Sequence, residues 1–477
     1  MKKAFLLVVS MLMVMLMVSV VLSAYHHEGE VDSPNFLAQY PSTAGSKLDH
    51  CATCHTGGQY EKKPGKWVSL GSCQWCHHSY GYDGSGNIVD TLNSYGMAYL
   101  TNGRNQAALA AIEGLDSDGD GYTNAVEIAA TRYPGSAEDD PTKVPAPSRV
   151  YTKAQLETMA QHTQFMLMNT SRSGDFYVQY TGVPVEDLLK DAGMLGSATG
   201  ITVFAPDGWS DYHPLDMDSD PELYHVKGTY PESYFYYDLE ADTAVNVVDG
   251  WCDYSAPSCT GRNHLDIISN PNGLKMLLAY KREGQNLEPG VLGGDNKLNG
   301  EGPFRVVPPQ KTPSPPDQSS KADNQDVIWP YDFNWDHSAG SATRTATIIR
   351  VEPLPEGTTD IDILEAGWKY VGEEKIVFYG AIESTPSYVS SDGNCNGHDP
   401  CFSSIQAAIN ESPVTGTLKI KEGSFSEAIA MNANKLIAFE SGLDADFTTA
   451  AGSSQVNSVS VSQGKLTLKD GSLVIGE

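Results

Sequence analysis

His50-Cys51-Ala52-Thr53-Cys54-His55 and, a short way on, Cys73-Gln74-Trp75-Cys76-His77-His78 decide how the amino end of this chain is read. Each contains the pentapeptide Cys-x-x-Cys-His, the pattern of covalent c-type haem attachment. Two thiols three positions apart reach the two vinyl groups of one porphyrin, and the adjoining imidazole falls beneath the iron as its proximal ligand. Cys51, Cys54, Cys73 and Cys76 are therefore the expected attachment points of two covalently attached haem c groups, with His55 and His77 as proximal ligands. Two Cys-x-x-Cys pairs 18 residues apart also have the spacing of a zinc ribbon. Three features point away from zinc: a His follows each pair directly, the chain carries an export signal, and the stretch from Gly57 to Gly71 shows no paired hairpin strands.

With 12 His in the chain and few suitably placed Met, bis-histidine coordination is expected rather than His/Met, which would hold the potentials low. His78 points away from its own haem and is the first choice as a distal ligand to the neighbouring one. His27 is the second choice, with His26, His50 and Met97 as alternatives.

From Asp116 the chain reads Asp-Ser-Asp-Gly-Asp-Gly-Tyr-Thr-Asn-Ala-Val-Glu, which matches a twelve-residue EF-hand loop for Ca2+. Asp116, Asp118 and Asp120 supply carboxylates, Gly121 makes the sharp turn, and Tyr122 offers its backbone carbonyl. Asn124 takes the water-mediated position and Glu127 the bidentate one. Helical runs at 106–115 and 124–133 flank it. A single exported loop of this kind is expected to be a structural clip saturated by ambient calcium. The acidic cluster at Asp216, Asp218 and Asp220 lacks both the Gly and the closing Glu, and reads as an ordinary loop.

Residues 1–24 combine Lys2 and Lys3 with a long apolar run ending in Ser23-Ala24, a secretory signal peptide cleaved before Tyr25, or a membrane anchor if it is retained. An exported destination follows, the periplasm or the cell surface and extracellular space of a bacterium. Without the leader, 29 basic residues face 60 acidic ones, a net charge near −31. Such a surface repels nucleic acid and anionic lipid and favours cations or basic partners. In an oxidising compartment the four remaining cysteines read as disulfides Cys252–Cys259 and Cys395–Cys401.

The expected fold is multidomain. A small α-rich diheme and EF-hand domain spans 25–145, a helical linker 146–171 (with a helix-like run at 153–168), and a mainly-β (α+β) domain 172–385. A short parallel β-solenoid-like region spans 388–477, where alternating runs at 417–420, 435–439, 458–461, 465–468 and 472–475 read as rungs.

Taken with Gly300-Glu301-Gly302-Pro303, the haem pentapeptides and the acidic loop resemble the exported GEGP-motif diheme proteins over most of the mature chain. That resemblance implies electron transfer outside the cytoplasm, with other cytochromes among the redox partners. Thr181 to Leu189, Ala205 to Trp209, Leu277 to Tyr280 and Gly302 to Pro308 are similar to the molybdopterin-binding domain of the sulfite oxidase family. That family binds its metal through a Cys upstream of the Gly-Val-Pro segment, and here no Cys lies between Cys76 and Cys252. The resemblance therefore implies the fold without the metal chemistry, with Arg305 either binding an anion or sitting in a salt bridge. The terminal region resembles the first coils of pectin-lyase-like solenoids, without their catalytic groups. Electron transfer is the leading function. A haem-linked oxidoreductase of molybdopterin or peroxidase type and a calcium-dependent surface interaction protein are the alternatives.

Overall fold

A computed structural model describes residues 31–476 apart from 64, 82–83, 218–222, 231–233, 239, 241–251, 294–297, 322–328 and 362–366. The leader and His26 and His27 lie outside the described residues, as do Asp218 and Asp220. Strand outweighs helix, 31% to 20%, as a mainly-β multidomain chain requires. Backbone contacts divide the chain into two compact units, one ending at Asp140 and the other beginning at Pro141 and running to the carboxyl end.

The first unit is built from short helices. Asp32–Gln39, Ser94–Thr101, Gln106–Ile112 and Asn124–Ala129 bring Phe36, Tyr95, Leu109, Ile112 and Ile128 into one core, which Leu48 joins from the loop after the first helix. None is long enough to be stable alone, so their shared apolar face holds them. Lys47 is fully buried, and its Nζ meets Asp139 Oδ2 at 2.7 Å while lying 4.9 Å from the Tyr133 ring centroid. One expectation is corrected here. The stretch between the two cysteine pairs does contain a hairpin: Gly58–Lys63 pairs antiparallel with Lys66–Leu70. Gly65, at φ +76°, provides the left-handed residue of its turn.

The second unit opens with two sheets. Asp175–Pro184 lies between His162–Met168 and Leu277–Arg282, with Cys252–Asp253 beyond it and Arg305–Val307 added on Leu277–Arg282. The other sheet runs Ser148–Thr152, Lys375–Gly380, Ile348–Glu352, Gly200–Phe204, Ser210–Pro214. Leu278, Tyr280, Val306, Ile349 and Phe378 share one core, which explains why these strands read as continuous apolar runs. The segment 146–171 is not a helical linker. It holds one short helix, Lys153–Thr158, and contributes a strand to each sheet. Thr152 and Gln155 form a capping box that starts the helix. It stops early because the apolar run Phe165 to Met168 pairs with Phe176 to Gln179.

After Pro386 the strands are parallel and recur in stacks. Thr415–Lys421, Leu436–Leu443 and Lys465–Gly471 form one, Gly423–Ser424, Ser454–Val456 and Leu473–Ile475 a second, Ala428–Met431 and Ser458–Val461 a third. Alternate residues, among them Leu418, Ile420, Ile437 and Phe439, point into a common interior. The Cys395–Cys401 disulfide is present. The other expected bridge is not: Cys252 and Cys259 are both buried, but Cys252 Sγ faces the Asp253 carbonyl and Cys259 the Tyr236 hydroxyl. The two expected domains 172–385 and 388–477 fall within one unit, joined for example by a hydrogen bond of 2.7 Å between the Ser384 and Thr417 hydroxyls.

Candidate functional site

Each pentapeptide is wound into a helical turn. The first forms the 3-10 turn Cys51–Thr53, closed by His55 N donating to Cys51 O at 2.8 Å. His50 caps it, its Nδ1 accepting from Ala52 N at 3.1 Å. The second lies within the helix Ser72–Ser79. In both, the cysteines three positions apart fall on one face, the placement that two adjacent vinyl groups need.

Asn93 clamps the first turn. Its Nδ2 donates to Ala52 O and Thr53 O at 3.2 and 3.1 Å, and its Oδ1 accepts from Gly96 N at 2.9 Å, capping the helix Ser94–Thr101. A Cβ at Gly96 would lie 2.1 Å from Cys54 O, so this helix reaches the turn only because a glycine sits there.

His55 is held by the short 3-10 helix Ile88–Thr91. Its Nδ1 lies 2.9 Å from Thr91 Oγ1, and Thr91 Oγ1 donates to Ile88 O at 2.8 Å. With that hydroxyl proton committed, Oγ1 accepts from Nδ1–H, which is the tautomer of an imidazole that ligates through Nε2. The donor set therefore fits a haem iron at His55. The second turn lies beside the first: Cys73 Sγ is 3.5 Å from His50 Nε2, and the Cys76 thiol is pushed up by burial first and then by Cys51. His50 is thereby engaged at both ring nitrogens. His78 stacks on Tyr60 of the hairpin, with centroids 4.2 Å apart, and on Trp75 at 5.6 Å. Distal ligation by His78 requires that stack to open.

The hairpin removes one of the arguments against a zinc ribbon. Geometry replaces it: among the described residues, Asp116, Asp118 and Asp120 are the one group of three or more candidate ligands whose donor atoms converge, and the four cysteines do not.

The acidic loop is built inward. Each of its aspartates accepts backbone N–H bonds: Asp116 Oδ1 from Gly119 at 2.7 Å and Oδ2 from Gly121 at 2.9 Å, Asp118 Oδ1 from Asp120, and Asp120 Oδ1 from Tyr122. Asp118 Oδ2 and Asp120 Oδ2 are buried without a hydrogen-bond partner, and so are both carboxylate oxygens of Glu127, which is 0% exposed. Burial first, then Asp118, Asp120 and Asp116, push Glu127 up to about 9. With orphaned oxygens on Asp118, Asp120 and Glu127, the donor set fits a cation, and all-oxygen donors suit calcium. Asn124 also closes the loop: its Oδ1 accepts from Ser117 N at 3.2 Å and its Nδ2 donates to Ile112 O at 2.7 Å.

In the second unit, Glu301 of the Gly-Glu-Gly-Pro segment bonds Arg282 Nη1 at 2.6 Å, Arg305 Nη1 at 2.7 Å and the Tyr180 hydroxyl at 2.9 Å. The salt-bridge reading of Arg305 is thus observed, in the wall of a cavity of about 1070 Å³. The cavity is not legible in the sequence, because its walls come from five separated segments.

No protein-family model, curated protein or solved structure matches this chain.

Proposed function

We propose that this chain is an exported diheme c-type cytochrome that carries electrons outside the cytoplasm of a bacterium. Other cytochromes are the expected exchange partners, and a bound calcium ion stiffens the helical exit from the haem region. The haems supply the one-electron chemistry. The protein's part is to anchor them at Cys51, Cys54, Cys73 and Cys76, present His55 and His77 to the irons, and set the protonation of His55 through Thr91. The observation that carries the reading is the His55–Thr91–Ile88 relay beneath a capped Cys-x-x-Cys-His turn: it gives that imidazole the tautomer an iron requires. A haem count on the purified protein, by the pyridine haemochrome spectrum, tests it. Two haems per chain are expected, falling to one when Cys51 and Cys54 are both replaced by Ser and to one when Cys73 and Cys76 are. A colourless, zinc-loaded protein would end the proposal.

A haem-linked oxidoreductase of the molybdopterin type is the second reading. It is favoured by the large cavity of the second unit with the buried thiol of Cys252 in its wall. Elemental analysis separates the two, since that reading requires molybdenum at one atom per chain.

A further inference from the structure

Four of the chain's nine arginines, Arg172, Arg282, Arg305 and Arg344, line the single cavity of about 1070 Å³ in the second unit. In a chain of formal net charge −29 this is a local reversal of sign. The same wall carries three carboxylates, Asp175, Asp253 and Glu301, so the four arginines outnumber them by one. Asp175 spends Oδ1 on Thr170 N at 2.7 Å and Oδ2 on Asp317 N at 2.9 Å, and Asp253 accepts from Ser255 N at 2.8 Å. Glu301 is shared between Arg282 and Arg305 in direct ion pairs, and Asp253 lies within electrostatic reach of Arg282. Among the described residues no carboxylate is in salt-bridge contact with the exposed Arg172 or Arg344, and Asp207 lies close enough to Arg344 to feel its charge.

Arg305 adds a second, independent observation. It is 5% exposed, its Nη1 is spent on Glu301 and Tyr180, and its buried Nε has no hydrogen-bond partner. A buried donor left unmatched costs free energy, and a bound acceptor would recover it. Glu301 and Tyr180 also fix the Arg305 fork before anything binds, and Arg282 is steadied against the Phe176 ring, its guanidinium 4.9 Å from the centroid. Planar forks held in advance recognise carboxylate, phosphate or sulfonate groups in bidentate fashion.

From these features we infer that the cavity binds an organic dianion, with one anionic group on Arg305 and Arg282 and the other reached by Arg172 and Arg344. The volume is that of an organic molecule rather than of an inorganic ion. The inference is independent of the haem and calcium readings, and of the molybdopterin alternative, because its probes contain neither metal nor pterin.

Equilibrium dialysis of the full chain, in saturating calcium and at low ionic strength, against benzene-1,3-disulfonate and glycerol 1-phosphate tests it. Arg305 is structural and its replacement risks the fold, so the variants are Arg172→Ala and Arg344→Ala, both exposed. Arg104→Ala, which removes a surface ion pair with Asp32 in the first unit, is the control. Binding of at least one probe should weaken about tenfold in each cavity variant, the value of one charge-assisted hydrogen bond, and stay native in the control. If neither probe binds the native chain, if binding is unchanged in both cavity variants, or if the control loses as much, the inference is wrong.

Discussion

Glu127 is a carboxylate that the fold cannot satisfy by itself. It is wholly buried, neither oxygen finds a donor, and three aspartates face it. Calcium should therefore act as part of the fold: at a free concentration a hundredfold above Kd it should add about 2.7 kcal/mol to stability. Replacing Glu127 by Gln keeps the volume and removes the charge. The calcium-dependent rise in melting temperature should then shrink, while the calcium-free variant should melt above the calcium-free native chain. Calorimetry with and without a chelator reads both. Thr91→Val tests the haem side at the same scale. Loss of the acceptor for His55 Nδ1–H makes the imidazole a poorer electron donor, so the potential of that haem should rise by about 40 mV, the equivalent of about 1 kcal/mol. A spectroelectrochemical titration would show it, with the haem count unchanged. At both positions the residue type was legible in the sequence and its neighbour was not. Thr91 is 36 residues from His55, and spacing does not reveal that the Asn124 amide also bonds Ser117 N and Ile112 O.

Among the elements, the hairpin Gly58–Leu70 and the helix Ser72–Ser79 are fitted to each other through a single glycine. A Cβ on Gly58 would lie 2.3 Å from the indole of Trp75, inside any tolerable contact. Gly58→Ala should push Trp75 away, break its stack with His78, and cost about 1–3 kcal/mol of the first unit's stability. The second haem should suffer more than the first, because Cys73 and Cys76 ride on the displaced helix. Haem-peptide mass spectrometry, comparing occupancy at the two pentapeptides, reads that asymmetry, and equal loss at both sites would count against it. The hairpin was missed because its strands, Gly-Gln-Tyr-Glu-Lys-Lys and Lys-Trp-Val-Ser-Leu, carry too few apolar residues to alternate visibly. The turn residues Pro64-Gly65 were the available signal. The run 153–168 failed the opposite way. His162–Met168 is apolar enough for either a helix or a strand, and pairing with Asp175–Pro184, a contact remote from local propensity, decides it. The rungs after Pro386 are easier to read, since the strands Thr415–Lys421, Ala428–Met431 and Leu436–Leu443 repeat the alternation of buried and less buried positions.

At the scale of the whole chain, the second unit should respond to mild acid through histidines that have no part in the haem reading. His162, His213 and His225 are 6%, 0% and 2% exposed, and each has a buried Nε2 with no hydrogen-bond partner. Desolvation is the leading cause that lowers all three, assisted at His162 by Lys275 and opposed at His213 by Asp211. In the unfolded chain each titrates near 6.5. Between that value and the lower folded one, the unfolded state binds more protons, so stability rises with pH. The contribution is complete above about pH 6.5 and is lost as the pH falls below it. Each group that protonates only on unfolding adds a slope of up to about 1.4 kcal/mol per pH unit. Depressed carboxylates such as Glu186 and Glu301 lose their contribution only at lower pH, through and below the ordinary range near 4.3. Asp207 and Asp336, raised by burial, act in the opposite sense above that range, so the histidine share is read from a variant rather than from the native slope alone. His213 is the sharpest test, because its Nδ1 lies 3.2 Å from the Tyr224 carbonyl and an Asn side chain can place an amide N–H there. Thermal melts in saturating calcium should show the second unit's transition falling steadily from pH 6.5 to 5 in the native chain. His213→Asn should flatten that fall by one group's share while leaving the first unit's transition in place, and an unchanged slope would show that the buried imidazole is not what acid attacks.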